Sequence, residues 1–106
     1  MSNTTPQGKG WWDDPSWAEQ REPVVALFAR TTSLAQRLEP SIEERALRFG
    51  WAARRAHPSA DAWDHLLETQ LRADWKRASE GAAPWDLVYE TVRSAWAIAD
   101  FRRRLN

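Results

Sequence analysis

Tryptophan is the residue that most constrains how this chain can fold, because eight of its 106 residues are tryptophan. A large aromatic side chain buries about 150–250 Å² of surface, which is worth roughly 4–6 kcal/mol when the ring is fully covered. A chain of this length has room for one ordinary core and for no second one. Burying even half of the tryptophans would supply a large part of the apolar free energy of that core, so we expect them to be structural.

The first part of the chain predicts a polar lead followed by helix. Residues 1–10 are polar and have nothing to bury, and we expect them to be disordered. Asp14-Pro15 is a helix start signal, and Pro23 predicts that the first helical turn stops there. A longer helix is then expected, with its apolar positions running from Val24 to Leu38.

Three further helices are predicted from the remaining sequence. One follows Pro40, one covers residues 60–79 with Ser59 as its cap and Gly81 at its C-terminal end, and one opens at Pro84. The inward positions of the helix over 60–79 are predicted to be Trp63, Leu66, Leu67, Leu71, Trp75 and Ala78. Each of these three helices begins with acidic residues and ends with basic ones, as the helix dipole favours. We therefore predict an all-α fold, a compact bundle of four main helices with a short N-terminal helical turn, in one domain over residues 11–106.

A local pattern recurs in the last three helices. The chain reads ERALRFGW at 44–51, ETQLRADW at 68–75 and ETVRSAW at 90–96. An aliphatic residue and a tryptophan four positions apart lie on one helix face, which favours a core built from similar helices. The alternative is a row of Arg–Trp pairs that binds a ligand, in which Arg48, Arg72 and Arg93 lie along the rings.

These segments carry a family resemblance. The runs RFGWAA at 48–53, LRADW at 71–75 and VRSAW at 92–96, with Pro84-Trp85 before the last, resemble an uncharacterised group of bacterial helical proteins. That group has tryptophan-rich "RYGW", "LRxDW" and "W…VRxAW" elements and is loosely associated with stress. The match covers about residues 46–99, and Phe49 stands where the group usually has Tyr. The resemblance implies helical architecture and a non-enzymatic role.

Composition excludes several classes of function. Fifteen basic and fifteen acidic residues cancel, so no overall field attracts nucleic acid or an anionic membrane. The absence of cysteine excludes disulfides, thiolate catalysis and cysteine-ligated zinc. The longest apolar run, Val24 to Ala29, is too short to cross a bilayer, and the start of the chain lacks a secretory signal. We therefore expect a cytoplasmic protein with no membrane partner.

No catalytic residue, cofactor site or metal site is predicted. His65 shares a helix face with Asp61 and Glu68, which is a possible set of metal ligands. Arg72 continues the same stripe at i,i+4 spacing from Glu68, so a solvated polar face explains these residues better. No glycine loop that cradles phosphate and no serine-nucleophile motif is present.

The sequence instead contains candidates for contact with a partner. The pair Trp11-Trp12 either folds back to cap the bundle or anchors a partner. Arginines near the ends of two helices form a basic tip if those ends meet in space. The leading hypothesis is a non-enzymatic protein–protein interaction module that binds another protein or a second copy of itself. The alternative is a nucleic-acid-associated helical protein that uses the C-terminal arginine patch. The candidate contact residues are Trp11, Trp12, Arg54, Arg55, Arg93, Arg102, Arg103 and Arg104.

Overall fold

The fold is all-α. The computed structural model describes residues 10–58 and 62–104, and no strand occurs within these ranges. Its four α-helices are α1 (Trp17–Thr31), α2 (Pro40–Ala56), α3 (His65–Ser79) and α4 (Trp85–Arg104). Two 3-10 helices, Trp11–Asp13 and Leu34–Gln36, precede α1 and α2. The predicted all-α fold with four main helices is therefore confirmed.

Two further predictions concern the N-terminal residues and the absence of a membrane-spanning helix. The expected disorder of residues 1–10 falls, except for Gly10, outside the described residues. Among the described helices, none combines the length and the apolar composition that crossing a bilayer requires.

The first helix differs from its prediction at both ends. It runs through Pro23, where we expected a break, and it ends at Thr31, well before Leu38. Pro23 removes only the hydrogen bond to the carbonyl of Glu19, and the buried residues Trp17 and Phe28 hold the helix on both sides of it. Beyond Thr31 the backbone of Thr32 and Ser33 is extended, and Leu34 is 87% exposed, so no burial favours continuing the helix.

The later helix boundaries follow their local signals more closely. Pro40 occupies the first turn of α2, and the carboxylate of Glu39 accepts a hydrogen bond from the backbone N–H of Ser41 at 3.2 Å. The α3 helix ends at Ser79, and its C-cap is Glu80, which has a left-handed φ of 53°. The predicted Gly81 follows this cap with a φ of 80°. Pro84 immediately precedes α4, as predicted.

The start of α3 was predicted too early. Its N-cap is Asp64, whose Oδ1 accepts a hydrogen bond from the N–H of Leu67 at 2.8 Å, and the predicted cap Ser59 lies outside the described residues. Trp63 therefore precedes the helix instead of lying within it. Leu66, predicted to point inward, is 80% exposed, because at 3.6 residues per turn it lies on the opposite face of the helix from buried Trp75.

The core is organised around the contact between α2 and α4, which is the most extensive one in the fold. Gly50 lies where these helices come closest: an ideal Cβ on it would be 2.8 Å from the Cβ of Ala95 and 3.0 Å from the carbonyl carbon of Val92. One apolar cluster lies on the α3 side of this contact and a second on the α1 side. The structure buries six tryptophans, as the structural interpretation predicts: Trp12, Trp17, Trp51, Trp75, Trp85 and Trp96.

Candidate binding groove

The pair Trp11-Trp12 packs against the bundle. Trp12 is only 6% exposed and belongs to the core. The ring of Trp11 lies 4.8 Å from that of Phe49, and its Nε1 donates a hydrogen bond to Asp74 Oδ2 at 3.1 Å. Arg48 fastens the same segment, because it donates to the carbonyl of Trp12 at 3.1 Å and pairs with Asp13. Of the two alternatives, the geometry matches a pair that folds back and caps the core.

The hypothesis of a row of Arg–Trp pairs is wrong for Arg48, Arg72 and Arg93. Arg72 lies 4.0 Å from Glu68, and Arg93 donates to the hydroxyl of Tyr89 at 2.9 Å. The cation–π contacts seen in the described residues involve other arginines, which are Arg37, Arg54, Arg55 and Arg77. Helix periodicity placed the guanidinium groups near the rings, but polar partners on the same helix or the N-terminal segment hold them elsewhere. Arg93 is exposed, and its contact with a partner stays a prediction.

The arginine-bearing ends of α2 and α4 do meet. Arg54 Nε near the end of α2 lies 2.8 Å from Asp100 Oδ1 near the end of α4. The start of α1 joins them and closes a surface groove of about 740 Å³, which we call the arginine groove. Its lining comes from all three helices and the turn after α2: Ser16, Glu19, Gln20, Trp51, Arg54, Arg55, Pro58, Ala99, Arg102 and Arg103.

Arg54 forms the floor of the arginine groove, and its burial corrects the prediction of a surface contact. The residue is 6% exposed, and its guanidinium stacks over Trp96 at 5.1 Å. It also donates to the carbonyl of His57 at 3.1 Å. Hydrogen bonds from Arg54 and Arg104 hold the pKa of Asp100 below its usual range. The charge of Arg54 is therefore already matched inside the domain, where it joins α2 to α4.

Arg55 lies at the rim of the groove and is partly matched. Its Nε donates to Asp14 Oδ2 at 2.7 Å, and its guanidinium lies 5.1 Å from the ring centre of Trp51. Burial raises the pKa of Asp14, but hydrogen bonds from Ser16 and Arg55 outweigh it and leave that pKa lowered. The ion pair therefore ties the N-terminal segment to α2 and leaves part of the Arg55 side chain in solvent.

Arg102 and Arg103 carry the unmatched positive charge of the groove. Arg102 donates to Gln20 Oε1 at 3.2 Å, and Arg103 donates to the carbonyl of Pro58 at 3.4 Å. Both acceptors are neutral, and within residues 10–58 and 62–104 neither arginine lies within 4.0 Å of a carboxylate. Arg104 differs, because it lies 3.0 Å from Asp100. The predicted basic tip is therefore reduced to two arginines that can receive an anion.

Comparison with family models, with curated proteins and with solved structures finds no match for this chain. The resemblance carried by residues 46–99 consequently stays a prediction. The assignment of the groove rests on its own geometry.

Histidine and carboxylate groups form no metal site in the part of the chain that the structure describes. Of the three residues singled out around His65, Asp61 lies outside that part. Glu68 accepts a hydrogen bond from Trp63 Nε1 at 3.1 Å, and its carboxylate lies 4.0 Å from the guanidinium of Arg72. Its contacts are those of a surface side chain that supports the segment before α3.

Sequence reasoning missed the carboxylate and amide groups that accept hydrogen bonds from the arginines of the groove. Asp14, Gln20 and Asp100 determine which guanidinium groups are matched, and none of them was predicted to belong to the basic tip. Asp14 was interpreted only as a helix start signal. The spacing of Asp100 four residues before Arg104 is a detectable signal for that one pair, whereas the partners of Arg54 and Arg55 are distant in sequence.

Proposed function

We propose that this domain is a non-enzymatic protein–protein interaction module that binds an acidic segment of a partner protein in the arginine groove. The observation that carries the proposal is the pair Arg102 and Arg103, which hold positive charge beside a groove and have only neutral acceptors in the described residues. A carboxylate that displaced these neutral acceptors would gain charge-assisted hydrogen bonds, which are roughly twice as strong as neutral ones. Residues of three helices line the groove, so a bound segment would contact more than one helix.

The distribution of charge favours a protein segment over nucleic acid. Glu19 lines the groove, and Asp14 and Asp100 adjoin it, so a uniform track of phosphates would meet repulsion. Trp51 is the aromatic residue of the groove lining, and it is only 4% exposed. A base therefore finds no open ring on which to stack. A protein segment with alternating acidic and neutral or basic side chains complements this pattern better.

The proposal is tested with a ten-residue peptide in which glutamate and serine alternate and which carries a rhodamine label, with binding followed by fluorescence anisotropy. The variant R102A/R103A removes the two unmatched charges. The matched control R30A/R45A also removes two arginines outside the groove. Arg30 likewise lies in the last turn of its helix, and Arg45 likewise donates only to backbone carbonyls among the described residues. We expect the groove variant to weaken binding by about tenfold or more and the control by about twofold or less.

Three outcomes would count against the proposal. Equal weakening by both variants would show that net charge, and not the groove, attracts the peptide. If a single-stranded thymidine oligonucleotide bound more tightly than the peptide, with an affinity that falls steeply as salt rises, the nucleic-acid alternative would be favoured. Dimerisation lost specifically in R102A/R103A, measured by light scattering, would identify a second copy as the occupant. Circular dichroism of each variant checks that the helices are intact.

A further inference from the structure

The outward side of α4 is exposed over the whole length of the helix. Exposed residues recur on it three or four positions apart, so they form one continuous stripe. At a rise of 1.5 Å per residue, the stripe is roughly 27 Å long. We call it the outer face of α4, and its central line is formed by Asp86, Glu90, Arg93, Ala97, Phe101 and Arg104.

Charged side chains alternate in sign along one edge of the outer face. From the start of α4 to its end they are Asp86, Arg93, Asp100 and Arg104, which read negative, positive, negative, positive. Successive members lie seven or four residues apart, which keeps them on one side of the helix. Among the described residues, neither Asp86 nor Arg93 has an oppositely charged group within 4.0 Å. A series with this alternation is complementary to itself only when the second copy runs in the reverse direction.

Apolar side chains lie along the other edge of the outer face. Leu87 is 48% exposed and Phe101 is 57% exposed, and they are four helical turns apart. The part of the chain that the structure describes exposes four large apolar side chains, so half of them lie on this one surface. Between Leu87 and Phe101 the face carries the small residues Ser94 and Ala97, which leave room for a second helix to approach.

We propose that the outer face of α4 binds the same face of a second copy of this chain in antiparallel orientation. The twofold axis lies between Ser94 and Ala97. Rotation about such an axis places each edge of the face against the same edge of the second copy, with its direction reversed. A parallel arrangement would instead place each charge of the alternating series against the same charge, which is unfavourable.

The antiparallel register brings opposite charges together along the charged edge. Asp86 of one copy lies within one helical turn of Arg104 of the other, and Arg93 lies equally close to Asp100 of the other. Arg104 already donates to Asp100 of its own helix at 3.0 Å, but a guanidinium has five N–H donors, so others stay available. The two copies of Arg93 are more than one turn apart, so their repulsion is weak.

The same register pairs the apolar side chains. Leu87 of one copy lies within one turn of Phe101 of the other, and this contact occurs twice because the interface is symmetric. Each contact covers apolar surface that is open to water in the single chain, and that burial favours association. The two edges therefore select the same partner and the same orientation.

The size of the outer face limits the strength of the contact. A single helix face about 10 Å wide and roughly 27 Å long buries less than the about 800 Å² per partner that is typical of stable complexes. Exposed ion pairs add little individually. We therefore expect a dissociation constant on the order of 0.1 mM, and a monomer at the micromolar concentrations used for spectroscopic unfolding.

This contact does not rest on the acidic-peptide proposal. Arg102 and Arg103 leave α4 on other sides of the helix, where they donate to Gln20 and to the carbonyl of Pro58. The lining of the arginine groove includes no residue of the central line of the outer face. A second copy bound at α4 consequently leaves the arginine groove open.

The test is sedimentation equilibrium of the full chain from about 10 µM to 1 mM, a range that brackets the expected dissociation constant. We expect the weight-average mass to rise with concentration from that of one chain towards that of two. Asp86→Arg should weaken association at least tenfold, because it sets like charges against Arg104 at both ends of the interface. Adding Arg104→Glu to Asp86→Arg should restore the dissociation constant to within about threefold of the wild type. The control Glu22→Arg makes the same charge change at an exposed position of α1 and should alter the constant by about twofold or less.

A second pair of variants tests the apolar edge. Leu87→Ser should weaken association at least fivefold, because each contact with Phe101 is lost twice. Leu34→Ser is the matched control, since Leu34 is an even more exposed leucine outside α4, and it should leave association unchanged. Circular dichroism of each variant checks that the helices are intact.

Three results would overturn the inference. One is a mass that stays at that of one chain up to 1 mM. Another is association of the Asp86→Arg, Arg104→Glu double variant that is no tighter than that of Asp86→Arg alone, since this would exclude the antiparallel pairing. A third is association that is lost in R102A/R103A and kept in Leu87→Ser, which would place the second copy in the arginine groove. Loss of association in Leu87→Ser with unchanged binding of the acidic peptide would support the inference, so the two proposals fail separately.

Discussion

Replacing Gly50 with alanine tests the close contact between α2 and α4, because helix propensity and steric overlap change the stability of the domain in opposite directions. Gly50 lies within the α2 helix, where alanine is intrinsically more favourable than glycine by about 1 kcal/mol. If the two helices were merely neighbours, Gly50→Ala would therefore stabilise the domain. The structure predicts the reverse, because the added methyl group has no space.

The magnitude follows from the atoms that the methyl group would meet. Its carbon would lie 2.8 Å from the Cβ of Ala95 and nearer still to the carbonyl oxygen of Val92. Carbon atoms normally approach to about 3.5–4.0 Å, so the helices must separate by roughly 1 Å, which forfeits a quarter to a half of each affected van der Waals contact. Overpacking of this kind costs about 3 kcal/mol at its upper typical range. After about 1 kcal/mol of helix propensity is credited, we expect a net loss of about 2 kcal/mol.

The assay is urea and thermal unfolding followed by circular dichroism at the helix band. A loss of about 2 kcal/mol lowers the melting temperature of a domain of this size by about 8–16 °C. Ala97→Gly, at an exposed position inside α4, is the control that measures helix propensity alone and is expected to cost about 1 kcal/mol. Adding Ala95→Gly to Gly50→Ala is not expected to restore stability, because the backbone carbonyl of Val92 remains in the way. A Gly50→Ala domain as stable as the wild type, or more stable, would refute the proposed helix contact.

Four other substitutions test the polar contacts. Hydrogen bonds from Arg37 lower the pKa of buried Glu43, so the ionised carboxylate stabilises the fold fully above its unfolded pKa of about 4.3, and this contribution is lost as pH falls through the lower folded pKa. Glu43→Gln should therefore lower the free energy of unfolding by about 2 kcal/mol at pH 7. A difference between wild type and variant that persisted undiminished near pH 2 in urea unfolding would contradict this. Arg54→Ala should lower the free energy of unfolding by about 3 kcal/mol and Arg55→Ala by about 1 kcal/mol or less, so equal losses in urea would argue against the buried role of Arg54. Trp11→Phe keeps the aromatic packing but removes the bond to Asp74 and should cost about 1 kcal/mol by thermal unfolding, whereas an unchanged melting temperature would show that this bond contributes nothing.

Local chemistry predicted the parts of the fold that depend on a few adjacent residues. Pro40, Gly81 and Pro84 mark helix ends because each restricts or permits backbone conformations on its own. Pro23 was wrongly predicted to end a helix, because packing of α1 on both sides of it outweighs the local cost of the proline, and the adjacent sequence does not reveal that packing. Leu66 misled because adjacent Leu66 and Leu67 lie about 100° apart on the helix, and only Leu67 shares the face that packs on the core. Gly50 was unassigned in the sequence, because its importance arises only where α2 crosses α4.

The same division applies to the arginine groove. Clustering of arginines near two helix ends predicted that a basic tip would form if those ends met, and they do. Which arginines are available depends on long-range neighbours: Asp100 matches Arg54, and Asp14 matches Arg55. Sequence spacing does not specify such pairs, because they lie on different elements. Only the assembled helices separate structural arginines from the two that can receive an anion.

The close contact between α2 and α4 also bears on how the chain acquires its structure during synthesis. α3 lies between these helices in the chain, so α2 leaves the ribosome long before α4 exists. Until then, the face of α2 around Gly50 has no partner, and the neighbouring Phe49 and Trp51 are left without part of their cover. Translation proceeds at about 5–20 residues per second, so this apolar surface stays open for seconds. Transiently exposed hydrophobic surface makes an incomplete chain prone to aggregate, so the interval before α4 arrives is the one in which this domain is most exposed to that hazard.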